Sequence, residues 1–146
     1  MKTMLAVLAV SALAVAPLQA QTVMKGDFIL QHQIADVLLE FTKLAKAGKP
    51  DEAAKLQSAR AAKRRADRTA SDRKESDAFV KDFLPAPAAL EESIKKNGSL
   101  TVEGDKATLQ ISVSTSTKNP DGSVTASAEA MAFAFVREND DWRLDQ

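Results

Sequence analysis

The sequence predicts an α+β fold, with N-terminal helices packed on one face of a curved antiparallel sheet of about four strands. Three observations predict it. Apolar residues recur at helical spacing through roughly the first two thirds of the chain, the period changes to two after Gly98, and Asn, Asp and Gly gather at each reversal that follows.

The first helix is read over residues 27–46, where Leu30, Ile34, Val37, Leu38, Phe41 and Ala45 share one stripe and His32, Asp36, Glu40 and Lys43 another. Gly48 stops it. Pro50 then opens a second helix at a first-turn position, where its missing N–H costs nothing, and Asp51 and Glu52 follow beside the positive end of the helix dipole. This helix is expected to run on through a basic stretch and fray before Thr69; Ala53, Leu56, Ala59 and Ala66 bury little area, so its docking is weak. Ser76 is the expected N-cap of a short helix carrying Phe79, Val80, Phe83 and Leu84, which Pro85 ends. After Pro87 another helix places Glu91 and Glu92 early and Lys95 and Lys96 late, the charge order that a macrodipole favours, and Asn97-Gly98 closes it.

In the sheet region Leu100 and Val102 alternate with polar residues, Gly104-Asp105 makes a tight hairpin, and Leu109, Ile111 and Val113 alternate with Thr108, Gln110 and Ser112. Asn119-Pro120-Asp121-Gly122 is a second turn. The strand that follows, from Val124 to Arg137, puts Met131, Phe133 and Phe135 on one face and Ala126, Ala128, Ala130, Ala132 and Ala134 on the other. Glu138-Asn139-Asp140-Asp141 turns the chain once more, into a short strand with Trp142 and Leu144.

Two segments differ in kind. Met4 to Leu18 contains no charged residue and follows Lys2, the layout of a secretory signal, so residues 1–20 read as a cleavable signal peptide and residues 21–146 as a single domain. Ala20 is the expected cleavage position and Ala16 the alternative. The apolar run is too short for a bilayer, which needs ~20 apolar residues, so no transmembrane span is expected in the mature protein. An exported protein, periplasmic or secreted and soluble after cleavage, is the expectation. The absence of cysteine excludes a disulfide framework and a lipid-modified cysteine anchor.

The whole chain balances 20 basic against 20 acidic residues, so setting Lys2 aside leaves a net charge of −1. No global attraction to a polyanion follows. Charge is segregated nonetheless: between Lys55 and Lys74 eight basic residues stand against Asp67 and Asp72. Within that stretch Arg60, Lys63, Arg64, Arg65 and Arg68 are candidates for contact with anionic groups such as envelope phosphates or lipid headgroups. Aromatic residues are absent from it, so bases would have no stacking platform and nucleic acid is an unlikely partner.

The order of elements resembles the nuclear transport factor 2-like superfamily, also described as cystatin-like, a cone of helices closed by a bent antiparallel sheet. The stretches that carry the resemblance are "VLLEFTKLAKAGKPDEAAKL", "LTVEGDKATLQISV" and "AFAFVRENDDWRL", and it covers most of residues 28–145. It implies a pocket inside the cone, an open question of activity since small exported members often have none assigned, and dimerisation through the sheet. Enzymes of the superfamily line the cone with Asp, Tyr or His, whereas this chain has no Tyr and one His.

That histidine, His32, lies on the polar stripe four residues before Asp36 and reads as a solvated surface residue; without Cys or a second His it cannot build a zinc shell, and no metal or cofactor is expected. Glu129 shares by parity the face of Met131, Phe133 and Phe135, so these four form the candidate ligand-binding set. A carboxylate on that face would be desolvated and could act as a general base, although its neighbours offer only hydroxyls; the bland alternative is a solvated Glu near the sheet rim. Three functions follow. The leading one is a non-catalytic binding or interaction module for a small apolar ligand or a protein partner; the others are an enzyme using Glu129 for proton abstraction or dehydration, and an envelope-surface protein acting through the basic stretch. The alanine face of the long strand could also support a homodimer.

Overall fold

The computed structural model describes residues 20–146. The segment read as a signal peptide, apart from Ala20, lies outside the described residues. What is described is α+β, as expected: six helices and a five-stranded antiparallel sheet in the order β1-β2-β3-β4-β5. The strands are β1 (Gln21–Lys25), β2 (Ser99–Glu103), β3 (Lys106–Lys118), β4 (Val124–Glu138) and β5 (Asp141–Leu144). Between β1 and β2 come α1 (Asp27–Leu30), α2 (Gln33–Lys46), α3 (Pro50–Ala54), α4 (Ala59–Ala66), α5 (Ala70–Phe83) and α6 (Pro87–Asn97). Among the described residues no helix is long and apolar enough to cross a membrane.

The sheet has one strand more than the four expected. β1 pairs with β2 from Gln21↔Glu103 to Lys25↔Ser99, yet only Met24 among its residues is partly covered. An edge strand held by main-chain pairing, with side chains exposed on both faces, leaves no alternation in the sequence to detect.

Packing follows the two periodicities. From the sheet, Leu100, Leu109, Ile111, Met131, Phe133, Phe135, Trp142 and Leu144 are buried; from the helices they meet Ile34, Leu38 and Phe41 of α2 and Leu90 and Ile94 of α6. Each fully buried side chain of this kind contributes roughly 1.5–3 kcal/mol over its exposed state. The opposite face of β4 stays open, with Ala126, Ala128, Ala130, Ala132 and Ala134 all exposed. At the end of α6 a Cβ on Gly98 would lie 2.5 Å from the Ile94 carbonyl oxygen and 3.1 Å from Ile29 Cδ1, so glycine is required there by close approach.

Three helix boundaries depart from the sequence reading. The helix expected over residues 27–46 is broken into α1 and α2, because His32 adopts an extended backbone and its Nδ1 accepts a hydrogen bond from the Ile34 N–H at 3.2 Å. His32 therefore caps a helix, half-buried, with its ring centroid 6.0 Å from that of Trp142, instead of lying on a continuous polar stripe. The helix opened by Pro50 stops at Ala54: Leu56 and Ser58 exchange backbone hydrogen bonds with Leu144, and buried Ser58 caps α4 by accepting from the Ala61 N–H at 3.0 Å. A tertiary strand contact here interrupts a sequence of good helix formers. Finally, α5 begins at Ala70, where Thr69 Oγ1 accepts from the Asp72 N–H at 3.2 Å, so Ser76 lies within the helix and caps nothing.

β3 and β4 form a long hairpin, paired from Lys106↔Val136 to Lys118↔Val124. Its neighbours are short. β2 covers only residues 106–110 of β3 and β5 only residues 135–138 of β4. Beyond them a two-stranded arm continues from Ile111↔Met131 to Lys118↔Val124, roughly 25 Å at the usual rise per residue. Asn97 blunts one edge of it, its side chain bonding both the N–H and the carbonyl of Ser112.

Candidate functional site

A cavity of about 1140 Å³ opens between α2, α3, α4, α5 and β4. Phe41 and Ala45 reach it from α2, Leu84 from the end of α5, and Met131 and Phe133 from β4. These are core residues, at most 8 % exposed, so the cavity floor is an extension of the hydrophobic core.

The opposite wall is α5, and its physical character is unusual. No residue of this 14-residue helix is buried. Phe79 and Phe83, one turn apart, are 64 % and 44 % exposed and stack with ring centroids 5.3 Å apart; both line the cavity. Helices are ordinarily held by burying an apolar stripe, and α5 directs aromatic rings to a wall of the cavity without burying them. Val80 alone of its apolar residues packs partly against the core, and polar contacts supply the rest of the hold. Arg65 of α4 binds Asp77 bidentately and also reaches Asp51 at 3.0 Å, Arg68 donates to Ser76 Oγ at 2.6 Å, and Lys46 donates to the Lys81 carbonyl at 2.5 Å. The Asp77 hydrogen bond raises the Arg65 pKa above its ordinary value; burial opposes the rise and Asp51 reinforces it.

The cations of the basic stretch have separate fates. Arg60 pairs with Asp145, Arg64 approaches the same carboxylate at 3.9 Å, and Lys63 pairs with Asp67 at 3.2 Å along α4. Arg64, Arg65 and Arg68 line the cavity, and Arg60 and Lys63 do not. Arg73, Lys74 and Lys81 of α5 also line it, and the sequence reading did not single them out. Lys74 and Lys81 stand seven residues apart, two turns along one face of α5, and that spacing was the available signal.

Of the four residues grouped on the strand face, Met131 and Phe133 line the cavity, Phe135 is buried in the core away from it, and Glu129 is elsewhere. Glu129 is exposed and sits opposite Val113 on the projecting arm, so the desolvation that would suit it to general-base work is lacking. Parity placed it on the bulky face as expected; along β4, however, the core ends at Met131, although Val113 opposite Glu129 is still buried.

Asp145 closes the far end of α4. Its carboxylate is 11 % exposed, accepts from Ser58 Oγ at 2.6 Å, and is held by Arg60 with Arg64 nearby. Burial pushes this carboxyl upward, but the hydrogen bonds from Arg60 and Ser58 and the charges of Arg60 and Arg64 together outweigh it and hold the pKa below the ordinary value.

No protein family, curated protein or solved structure matches the chain.

Proposed function

We propose that the chain is an exported, non-catalytic binding module that takes a small apolar or amphipathic ligand into the cavity between α5 and β4. The observation that carries this reading is the exposed Phe79–Phe83 stack on a helix with no buried residue, facing a cavity floored by Met131 and Phe133. The volume lies just above the usual range of ligand pockets, about 300–1,000 Å³, which leaves room for an extended ligand. Supporting the non-catalytic part, His32 is engaged as a helix cap and Glu129 stands outside the cavity. The apolar leader supports export to the periplasm or medium, and helices packed on one face of an antiparallel sheet with a pocket between them support likeness to the nuclear transport factor 2-like superfamily.

Titration with Nile red, a neutral apolar dye, tests the reading. Saturable enhancement of its fluorescence is expected, and Ala78→Trp, which fills the cavity from its α5 wall, should abolish it. Equal enhancement in both proteins would place the dye elsewhere and refute the reading.

A second reading, self-association, is favoured by a different observation. Asp145 N–H donates to the Ala134 carbonyl and Gln146 Nε2 to the Ala132 carbonyl, so even-numbered residues of β4 direct their main-chain groups outward, and beyond β5 the outward groups of Val124, Ala126, Ala128 and Ala130 have no strand partner among the described residues. That edge carries no Lys or Pro, the usual protections of an edge, and one charge, Glu129. Sedimentation at micromolar concentration should show a dimer that Ala128→Pro, which removes an outward N–H, converts to monomer. A monomeric wild type would refute pairing through this edge.

A further inference from the structure

We infer that the cavity selects a single-headed amphipathic anion, an alkyl chain ending in one anionic group, taken up as a free monomer. The inference rests on the cavity being a ligand site and adds the chemistry of the ligand.

The charge of the lining carries it. Six cations, Arg64, Arg65, Arg68, Arg73, Lys74 and Lys81, line the cavity together with two carboxylates, Asp51 and Asp77. Arg65 binds both carboxylates. The remaining cations therefore face the cavity almost uncompensated: Arg64 has only Asp145 at 3.9 Å, Arg68 bonds a neutral hydroxyl, and Arg73, Lys74 and Lys81 make no side-chain ion pair among the described residues. A domain with a net charge of −1 over residues 21–146 has thus concentrated positive charge around this apolar cavity. One pole of the ligand must satisfy this rim, and guanidinium groups suit carboxylate or phosphate oxygens.

The other pole is set by the walls. Phe79, Phe83 and Val80 on α5 oppose Met131, Phe133 and Phe41, and a polar ligand body would leave these surfaces wet. An acyl or alkyl chain covers both at once and would supply α5 with the apolar packing it lacks. A polyanion such as nucleic acid would satisfy the cations and leave the aromatic pair uncovered.

Equilibrium dialysis against dodecanoate, dodecanol and acetate, each below its aggregation limit, separates the possibilities. Dodecanoate should bind at least tenfold more tightly than dodecanol, and acetate not measurably. Replacing Arg73, Lys74 and Lys81 together by Gln changes exposed side chains that make no side-chain ion pair among the described residues and should leave the thermal midpoint nearly unchanged; it should weaken dodecanoate at least tenfold and dodecanol little. Equal affinity for the acid and the alcohol would overturn the anion selectivity while leaving the apolar cavity standing. No binding of either would overturn both. Co-sedimentation with vesicles of anionic phospholipid, without uptake of dodecanoate, would show that the cations serve a membrane surface and would also overturn the inference.

Discussion

Arg65 Nη2 donates to Asp77 Oδ2 at 3.0 Å, and through this pair α4 holds α5 beside a cavity that α5 does not fill. Both side chains are partly buried, at 18 % and 25 % exposure, so the pair is screened less than a surface ion pair. Its position determines what its loss would do. Asp77→Asn should lower global stability by only about 1 kcal/mol, while hydrogen exchange in residues 70–83 accelerates more than in α2 or α6. Uniform acceleration over all helices would show that α5 is not separately latched.

The cluster at Asp145 makes a contrasting prediction, because here a polar side chain joins α4 to the sheet. Its folded pKa lies below the unfolded value, so the stabilisation is complete above the ordinary carboxylate value and is lost as pH falls through the folded one. Asp145→Asn should cost about 1–2 kcal/mol near neutral pH and flatten the acid limb of a thermal-midpoint curve below pH ~4. An acid limb identical to wild type would remove Asp145 from the account.

His32 titrates in a different window. Burial lowers its pKa, and only the neutral ring can accept from the Ile34 N–H through Nδ1. The neutral form is favoured on folding, so this contribution is full above the ordinary histidine value and is lost as pH falls below it through the folded value. His32→Asn keeps a capping acceptor and should weaken the pH dependence of the midpoint between roughly pH 7 and 5, whereas His32→Ala should cost about 1 kcal/mol at neutral pH.

Phe133 and Phe79 line one cavity from opposite walls and should behave oppositely. Phe133→Ala removes a side chain that is 3 % exposed and should cost about 3–5 kcal/mol. Phe79→Ala removes one that is 64 % exposed, should stay within about 0.5 kcal/mol of wild type, and should weaken Nile red binding severalfold. A destabilised Phe79→Ala protein with unaltered dye binding would mean that the ring packs structurally.

Much of the fold was legible because burial is one-sided. Leu109, Ile111 and Val113, and Met131, Phe133 and Phe135, alternate with outward residues, and the single apolar stripe of α2 declares its buried side. The turns were legible through their chemistry: Gly104 adopts φ 58°, and Asn139 and Asp140 adopt φ 51° and 68°, the left-handed values of a tight hairpin. What escaped depends on partners distant in sequence. Ser58 breaks a run of helix formers because Leu144 pairs beside it, and β1 is a strand because β2 offers it an edge.

The candidate site was legible only in halves. Met131 and Phe133 were found through the strand, and Arg64, Arg65 and Arg68 through the density of charge. Nothing local in the sequence says that these meet across α5. In the sequence Phe79 and Phe83 are only apolar residues of a short helix, and their exposure in the fold reveals a surface lacking its cover.

The most direct test of the binding reading is amide hydrogen exchange of the whole protein with and without saturating dodecanoate. Protection should rise chiefly in residues 70–83, as the ligand supplies the packing that α5 lacks. Bound dodecanoate that leaves α5 exchange unchanged, or protects only the projecting β3–β4 arm, would contradict a ligand seated between α5 and β4.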